Sequence, residues 1–477
     1  MDVTTRSAVE LARAVRAREL TARDVVEAHI ELYERFHPRV NAIVAPRFDA
    51  ARADADAADA RIAAAAPGDE LPPLLGVPCT MKEVFAVEGM PHSSGLLARR
   101  GVRASETAPA ARRMLDAGAI LLGLTNTSEL ALWIETDNRV YGRTSNPYDP
   151  ARMAGGSSGG EGAAVGCGAS AIGLGTDIGG SIRIPAFCCG VFGHKPSLGL
   201  VPHTGLYPAA HGESKRLLAV GPLARRAEDL MPLMRILSGP DGEDPLLGPA
   251  ELGDPAAVSF EGMRVLISEH AFLQPVSREL LAAREQAAGA LAAAGARIER
   301  LSMPRMRRIV EPMLAAVSDS GNATVRGLLA DEGLLPITLR SAMRRGGPHT
   351  VALRLTAMAE RTQRLTPARR VRRLIEWGRD FAAELADTIG DGVLLHPPLP
   401  SVARRHGRTH GRVLVLQPTA AFNLAALPVT QVPLGIGPHG LPLGVQVAAA
   451  PGRDHVAIAA ALALERAFGG WAPPSPT

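Results

Sequence analysis

The chain has 477 residues, with 52 lysines and arginines against 48 aspartates and glutamates and a formal net charge of +4. That near-balance excludes the strongly basic footprint of a nucleic-acid-binding protein and leaves ordinary solubility. Four cysteines, Cys79, Cys167, Cys188 and Cys189, fit neither a disulfide framework nor tetrahedral zinc ligation, and read as small buried hydrophobes.

The N-terminal stretch MDVTTRSAVELARAVRAREL is charged and amphipathic, unlike a secretory leader, and no window approaches the ~18 consecutive apolar residues of a membrane span. A cytoplasmic location is therefore expected. Residues 1–65 read as helical: Thr21 caps a segment in which Val25, Val26, Ile30 and Tyr33 recur at helical spacing, and an Ala/Asp-rich helix follows Pro46. Strands and helices then alternate. GVPCTMKEVF reads as a strand with Lys82 at the end of its apolar run, APAARRMLDAG as a helix ending at Gly118, and AILLGLTN and ASAIGLGTD as strands. Further strands are predicted at MRVLISE, VLLHPP, VTQVPLG and LGVQVAA, separated by helices such as Ser277 to Ala294. This alternation predicts an α/β fold around a buried sheet.

Residues 303–389 carry helical patterns and no convincing strand, which predicts a helical cap over the sheet. The arginine-rich part of it, Arg354 to Arg379, has Leu, Val, Ile and Trp at helical spacing and reads as a solvated helix face. No linker interrupts the chain. The expected organisation is one domain over 1–477, with a helical segment 1–65, a core 66–240, a cap 300–390 and the remainder of the core in 391–470.

Chemistry concentrates between Gly155 and Pro185, GGSSGGEGAAVGCGASAIGLGTDIGGSIRIP, where Ser157 and Ser181 each follow a glycine pair. Glycine allows backbone amides to approach a reacting atom closely. The chain has only three lysines, Lys82, Lys195 and Lys215. Arginine stays protonated at any working pH, whereas a desolvated lysine can lose its proton and act as a base. Three readings compete. A phosphate loop lacks its GxxxxGK[ST] pattern. A G-x-S-x-G nucleophile elbow is satisfied literally, but the turn formers TSNPYDPARMA precede it where a strand is required. A serine hydrolase with a lysine base uses Ser157, Ser181 and Lys82 together and accounts for both glycine pairs.

A Ser-His-acid triad would call on His92, His194, His203 or His211; the lysine relay needs none, and they read as turn or surface residues. His406 and His410 fall in HGRTHG, a turn pattern without the helix that paired metal ligands need. Lys195, in GHKPS, reads as a structural residue of a tight turn.

The motifs GGSSGGEGA, LGTDIGGSIRIPA and FGHKPS, in that order, together with VNAIV, DNRVYGRTSNPYDP, GPLARRAEDL, FNLAALPVTQVPLG and GLPLGVQV, span nearly the whole chain. In these the chain resembles the amidase signature family, and in wording the fatty acid amide hydrolase branch and its bacterial relatives. The resemblance implies a central mixed, twisted sheet covered by helices on both faces, with a helical substrate cap. It implies Ser181 as nucleophile, Ser157 as a bridging serine after a cis peptide at Gly156, and Lys82 as base. Ile178, Gly179 and Gly180 would present amides to the substrate. Gly156, Ser158, Asp177 and Arg183 would support the site, Asp177 by pairing with Arg183 and Ser158 by bonding the Lys82 amine. The implied reaction is hydrolysis of linear or aryl amides through an acyl-enzyme, extending to esters and carbamates. It needs no metal and no organic cofactor, and its partner is a small-molecule amide, with no nucleic acid, no membrane span, and a homodimer as an allowed assembly. The alternative is the A-type component of a glutamyl-tRNA amidotransferase, which works with partner subunits.

Overall fold

The alternating apolar runs assemble into one eleven-stranded sheet, seen in a computed structural model that describes residues 2–66, 68–319, 324–343 and 346–475. In chain order the strands are β1 (Ile43–Pro46), β2 (Pro78–Lys82), β3 (Ile120–Thr125), β4 (Asp137–Asn138), β5 (Gly142–Arg143), β6 (Ile172–Asp177), β7 (Phe192–Lys195), β8 (Ala219–Ala224), β9 (Arg264–Glu269), β10 (Arg297–Ser302), β11 (Val393–His396), β12 (Val429–Ile436) and β13 (Pro442–Ala448). β4 and β5 form a separate ribbon; the others line up as β1-β3-β2-β6-β8-β7-β12-β13-β11-β9-β10. β3, β2 and β6 run parallel, as do β11, β9 and β10, and the pairings from β6 through β8, β7, β12 and β13 to β11 are antiparallel.

Every residue of β2, β3 and β6 is buried. Helices pack against this sheet: Gly159–Gly166 on β6 and β2, Arg183–Cys188 on β7, Arg278–Ala293 on β13, and Asp454–Phe468 on β12. Burial on both faces is why these strands read as largely apolar stretches and not as apolar–polar alternation. All four cysteines are free and buried.

Several predicted ends coincide with observed caps. Thr21 accepts a hydrogen bond from the Asp24 amide at the start of Ala22–Val40, and Ser277 and Ala294 flank Arg278–Ala293. Between 303 and 389 the described residues are helical and contain no strand. Val310–Ser318 packs against Ala368–Ile389, and Val325–Asp331 against Val351–Gln363. Among the described residues no helix is long and apolar enough to cross a membrane.

Four strands of the main sheet, β1, β7, β8 and β10, and both strands of the β4–β5 ribbon are not expected from the sequence. β1 is four residues between two N-terminal helices, and β8 carries Gly221 and Pro222, a pair that depresses strand propensity. β8 is nevertheless a strand because β6 and β7 pair with it on both sides. Lys195 is corrected in the same way: it is the last residue of β7 and is buried, not part of a tight turn.

Gly118 closes the helix Pro109–Asp116. Its φ is +89°, and a Cβ there would lie 2.8 Å from Leu75 Cα. Gly118→Ala is expected to lower stability by about 2 kcal/mol or more. The measurement is the urea midpoint, which should fall with an unchanged slope; an unchanged midpoint would show that the turn relaxes freely.

Candidate active site

β2 and β6 are parallel neighbours, so their C-terminal ends lie side by side and deliver Lys82 and Asp177 to the same edge of the sheet. The chain leaving β6 carries Ser181 into the helix Arg183–Cys188, and Ser157 sits just ahead of Gly159–Gly166. Lys82 Nζ lies 2.7 Å from Ser157 Oγ and 2.8 Å from Thr176 Oγ1, with the lysine fully buried. Ser157, Thr176 and Ser181 then line one cavity.

The glycines answer to steric limits. The Gly156–Ser157 peptide is cis, and a Cβ on Gly156 would lie 2.8 Å from the Trp133 and Ile134 backbone. Gly180 adopts φ of +120°, where a side chain would also run into Thr419.

Asp177 and Arg183 pair as expected, with no exposure of either side chain. Arg183 Nε and Nη2 each donate to the carboxylate at 3.0 Å. The guanidinium also donates to Thr419 O at 3.0 Å, Gln446 Oε1 at 2.6 Å and Asn423 Oδ1 at 2.5 Å. Asn423 in turn donates to Asp177 Oδ1 at 2.8 Å. Burial alone would raise the Asp177 carboxyl, but the Arg183 charge and the bonds from Arg183 and Asn423 outweigh it and hold it below the usual carboxylate range.

The Asp177 carboxylate also accepts from the Gly180 amide at 2.7 Å and the Ile182 amide at 3.1 Å. The Gly180 N–H is therefore already committed. Among the described residues the amides of Ile178, Gly179 and Ser181 have no acceptor. Of the three amides expected to face a substrate, two are free to do so.

Ser158 does not bond the lysine. Its hydroxyl donates to Thr176 O at 3.2 Å, and Thr176 supplies the second contact to Lys82 instead. Thr176 directly precedes Asp177 at the end of β6, beside the end of β2 that carries Lys82, and its hydroxyl takes the contact.

Glu161 is a further buried group that the motifs do not announce. It lies on Gly159–Gly166 and accepts from Thr80 Oγ1 at 2.8 Å and Thr125 Oγ1 at 2.6 Å. Gly173 and Gly175 make the room, since a Cβ on the first would overlap the Glu161 carboxylate and on the second would press on Ser158 Oγ. The legible signal was the strand IGLGTD itself, whose alternate positions 173, 175 and 177 share one face.

Burial pushes the Lys82 ammonium down to about 7 against the opposing charges of Asp177 and Glu161, and pushes Glu161 up to about 8 despite its two hydroxyl donors. Lys195 is also pushed down to about 7, by burial and by the Arg183 charge, yet its Nζ donates to Pro196 O at 2.8 Å and lines no part of the cavity. Geometry, and not proton affinity, singles out Lys82.

Among the histidines, His194 departs from expectation. It is buried on β7, with Nδ1 2.9 Å from Thr430 Oγ1 and Nε2 3.1 Å from Asp454 Oδ1, so it is neither turn nor surface. None of His92, His194, His203 or His211 lines the cavity. Away from Ser157, Thr176, Ser181, Tyr207 and Ser214 the cavity wall is apolar, including Val84, Leu130, Leu132, Leu206, Val317 and Leu328, and among the described residues no charged side chain lines it.

Residues 24–457 match the Amidase family model. Fatty-acid amide hydrolase 2-A of Danio rerio is 39% identical over 99% of this chain and 90% of its own length. Indoleacetamide hydrolase of Bradyrhizobium diazoefficiens is 32% identical over 97% of this chain and 86% of its own. The solved structure of a bacterial aryl acylamidase superposes with a TM-score of 0.83 and 26% identity, covering 97% of this chain and 96% of the other. The match runs through the helices at both ends as well as the serine-rich centre, and the chain belongs to the amidase signature family of amide hydrolases.

Proposed function

We propose that this protein hydrolyses amides with an apolar acyl portion through an acyl-enzyme on Ser181, using Ser157 as relay and Lys82 as base. The observation that carries the reading is the 2.7 Å contact between Lys82 Nζ and Ser157 Oγ at the polar end of a largely apolar cavity that Ser181 also lines.

Neutral Lys82 accepts the Ser157 hydroxyl proton while Ser157 Oγ accepts that of Ser181, whose oxygen bonds to the amide carbonyl carbon. The same chain returns the proton to the nitrogen as the C–N bond breaks and the amine departs. Water then attacks the acyl ester, passing a proton through Ser157 to Lys82, and the chain returns a proton to Ser181 Oγ as its bond to the acyl carbon breaks and the carboxylic acid leaves. The free amides of Ile178 and Gly179 receive the developing oxyanion, each such donor being worth about 3 kcal/mol of barrier. Gly180 contributes conformation, its amide being held by Asp177. Esters pass through the same intermediate with an easier leaving group, and carbamates follow by the same attack.

The apolar wall accords with the fatty-acid amide hydrolases to which the chain is similar. A glutamyl-tRNA amidotransferase would handle a polar, glutamine-derived amide together with partner subunits. A cavity that no charged side chain lines among the described residues favours independent turnover of apolar amides. The free cysteines accord with a reducing, cytoplasmic setting, and the helices of 303–389 act as the substrate cap.

Treatment with a fluorophosphonate should add one adduct to the protein by intact mass and none to Ser181→Ala; labelling of the alanine variant at the parental rate would sink the assignment. Purified protein alone should release aniline from acyl anilides, and activity only with added subunits and tRNA would favour the amidotransferase. Lys82→Arg should lose activity as fully as Lys82→Ala, at least about a hundredfold, because arginine cannot serve as the base.

Two pH dependences follow from the depressed lysine. The kcat/KM of the parent should rise as pH passes upward through about 7, as Lys82 loses its proton, and level off above. In stability the sign reverses: an unfolded lysine with pKa about 10.4 takes up protons that the folded one refuses, so this position costs stability, most at and below pH 7. Lys82→Met should therefore raise the unfolding temperature by about 2 °C or more near pH 7, a gain that fades as pH approaches 10. A lower unfolding temperature at pH 7 would contradict it.

A further inference from the structure

We propose that two carboxylates outside the reacting centre, Glu129 and Glu332, are positioning residues that set which chain lengths the cavity accepts, by clamping the helices Val325–Asp331 and Val351–Gln363 onto two of its walls. The proposal rests on the reading that the cavity beside Ser181 holds the acyl chain.

The first wall is the stretch Leu130–Ala131–Leu132, every residue of which lines the cavity. Leu130 and Ala131 have φ of +55° and +57°. Consecutive left-handed conformations at residues with side chains persist only where neighbours hold them. One hold is local, the Leu130 amide donating to Ser94 O at 2.8 Å. The other is Glu129, whose side chain is 1% exposed. Its Oε1 lies 2.8 Å from His349 Nδ1 and its Oε2 accepts from the Thr350 amide at 2.7 Å, both some 220 positions away along the chain. Thr350 is the N-cap of Val351–Gln363, so the carboxylate grips the start of a helix. Leu353 of that helix packs with Leu130, Leu328 and Leu329 in one buried cluster, and Leu328 lines the cavity.

The second wall is Leu206–Tyr207–Pro208, again lining the cavity throughout. Here the carboxylate comes from the other side. Glu332, just past the helix Val325–Asp331 that carries Leu328, accepts from Arg99 Nη1 at 2.5 Å and from the Tyr207 hydroxyl at 3.2 Å. The Arg99 guanidinium lies 3.7 Å over the Tyr207 ring, so phenol, guanidinium and carboxylate form one unit. Each wall is thus tied to the same pair of helices by a single carboxylate, and the distance between walls and Leu328 follows from both ties. Neither carboxylate lines the cavity or reaches Ser181, so each acts through the apolar residues it positions.

The test is a series of acyl p-nitroanilides, from acetyl through hexanoyl to decanoyl, with the full-length enzyme. Glu129→Ala is expected to raise KM for the decanoyl substrate at least fivefold more than for the acetyl one, with kcat changed less than threefold. Glu129→Gln should recover most of the difference, because its amide oxygen still accepts from Thr350. Glu332→Ala and Arg99→Ala should shift the same length profile in the same direction and to similar extents. Variants whose KM values move equally for all chain lengths, or not at all, overturn the proposal and leave ordinary structural ion pairs. Should Glu129→Ala fail to fold, His349→Ala, which removes one of the two contacts, answers the same question by the same profile. A parent enzyme that cleaves no anilide would defeat the functional reading and this inference with it; a parent that cleaves them beside variants of unaltered profile defeats this inference alone.

Discussion

The buried pairing of Asp177 with Arg183 is the interaction on which the site hangs. One carboxylate ends β6, fixes the Gly180 and Ile182 amides, and holds a guanidinium whose remaining donors are spent on Thr419, Asn423 and Gln446. Residues more than two hundred positions downstream therefore set the shape of the loop that presents Ser181. Desolvating two charges costs as much as their attraction returns, so such a pair is weak evidence for stability, but removal of one partner costs about 3–5 kcal/mol. Its contribution here is geometric. With both ends immobilised, the amides left over at Ile178 and Gly179 point where no internal acceptor claims them.

Proton affinity alone does not set Lys82 apart from Lys195. Lys82 and Lys195 are both buried and both depressed to about 7, yet only one has hydroxyls within reach. The arginine-rich composition makes every retained lysine conspicuous, and one of the three is conspicuous for structural reasons. A perturbed group becomes chemically useful only through what it touches.

Much of the fold was legible because its central strands are buried on both faces: β2, β3 and β6 are short, largely apolar stretches bounded by turn formers. The helices of 303–389 and the Ser277–Ala294 helix were legible from period and caps. β7 and β8 were not, since glycine and proline erase local preference and only the neighbours on each side make them strands. At the site, the serines and the Asp177–Arg183 pair stand in the sequence because they fall within one short segment, and Lys82, 75 positions before Ser157, because lysine is scarce in the chain. Thr176 as the second lysine contact and the commitment of the Gly180 amide depend on side-chain direction and competition among acceptors, which spacing does not carry. The glutamates at 129 and 332 were silent for a related reason: their partners are contributed by distant segments, and an isolated Glu in sequence is ordinarily a solvated one.

The glycine at position 173 carries a consequence for how such sequences can drift. It is empty of side chain because the Glu161 carboxylate occupies that space over the strand. A descendant that keeps the glutamate cannot gain even a methyl group at 173, whereas one that first loses the glutamate is released to fill the strand with a larger apolar residue. The two positions form a one-way gate in mutational order, so among relatives they should covary: a small residue at the first wherever an acid stands at the second.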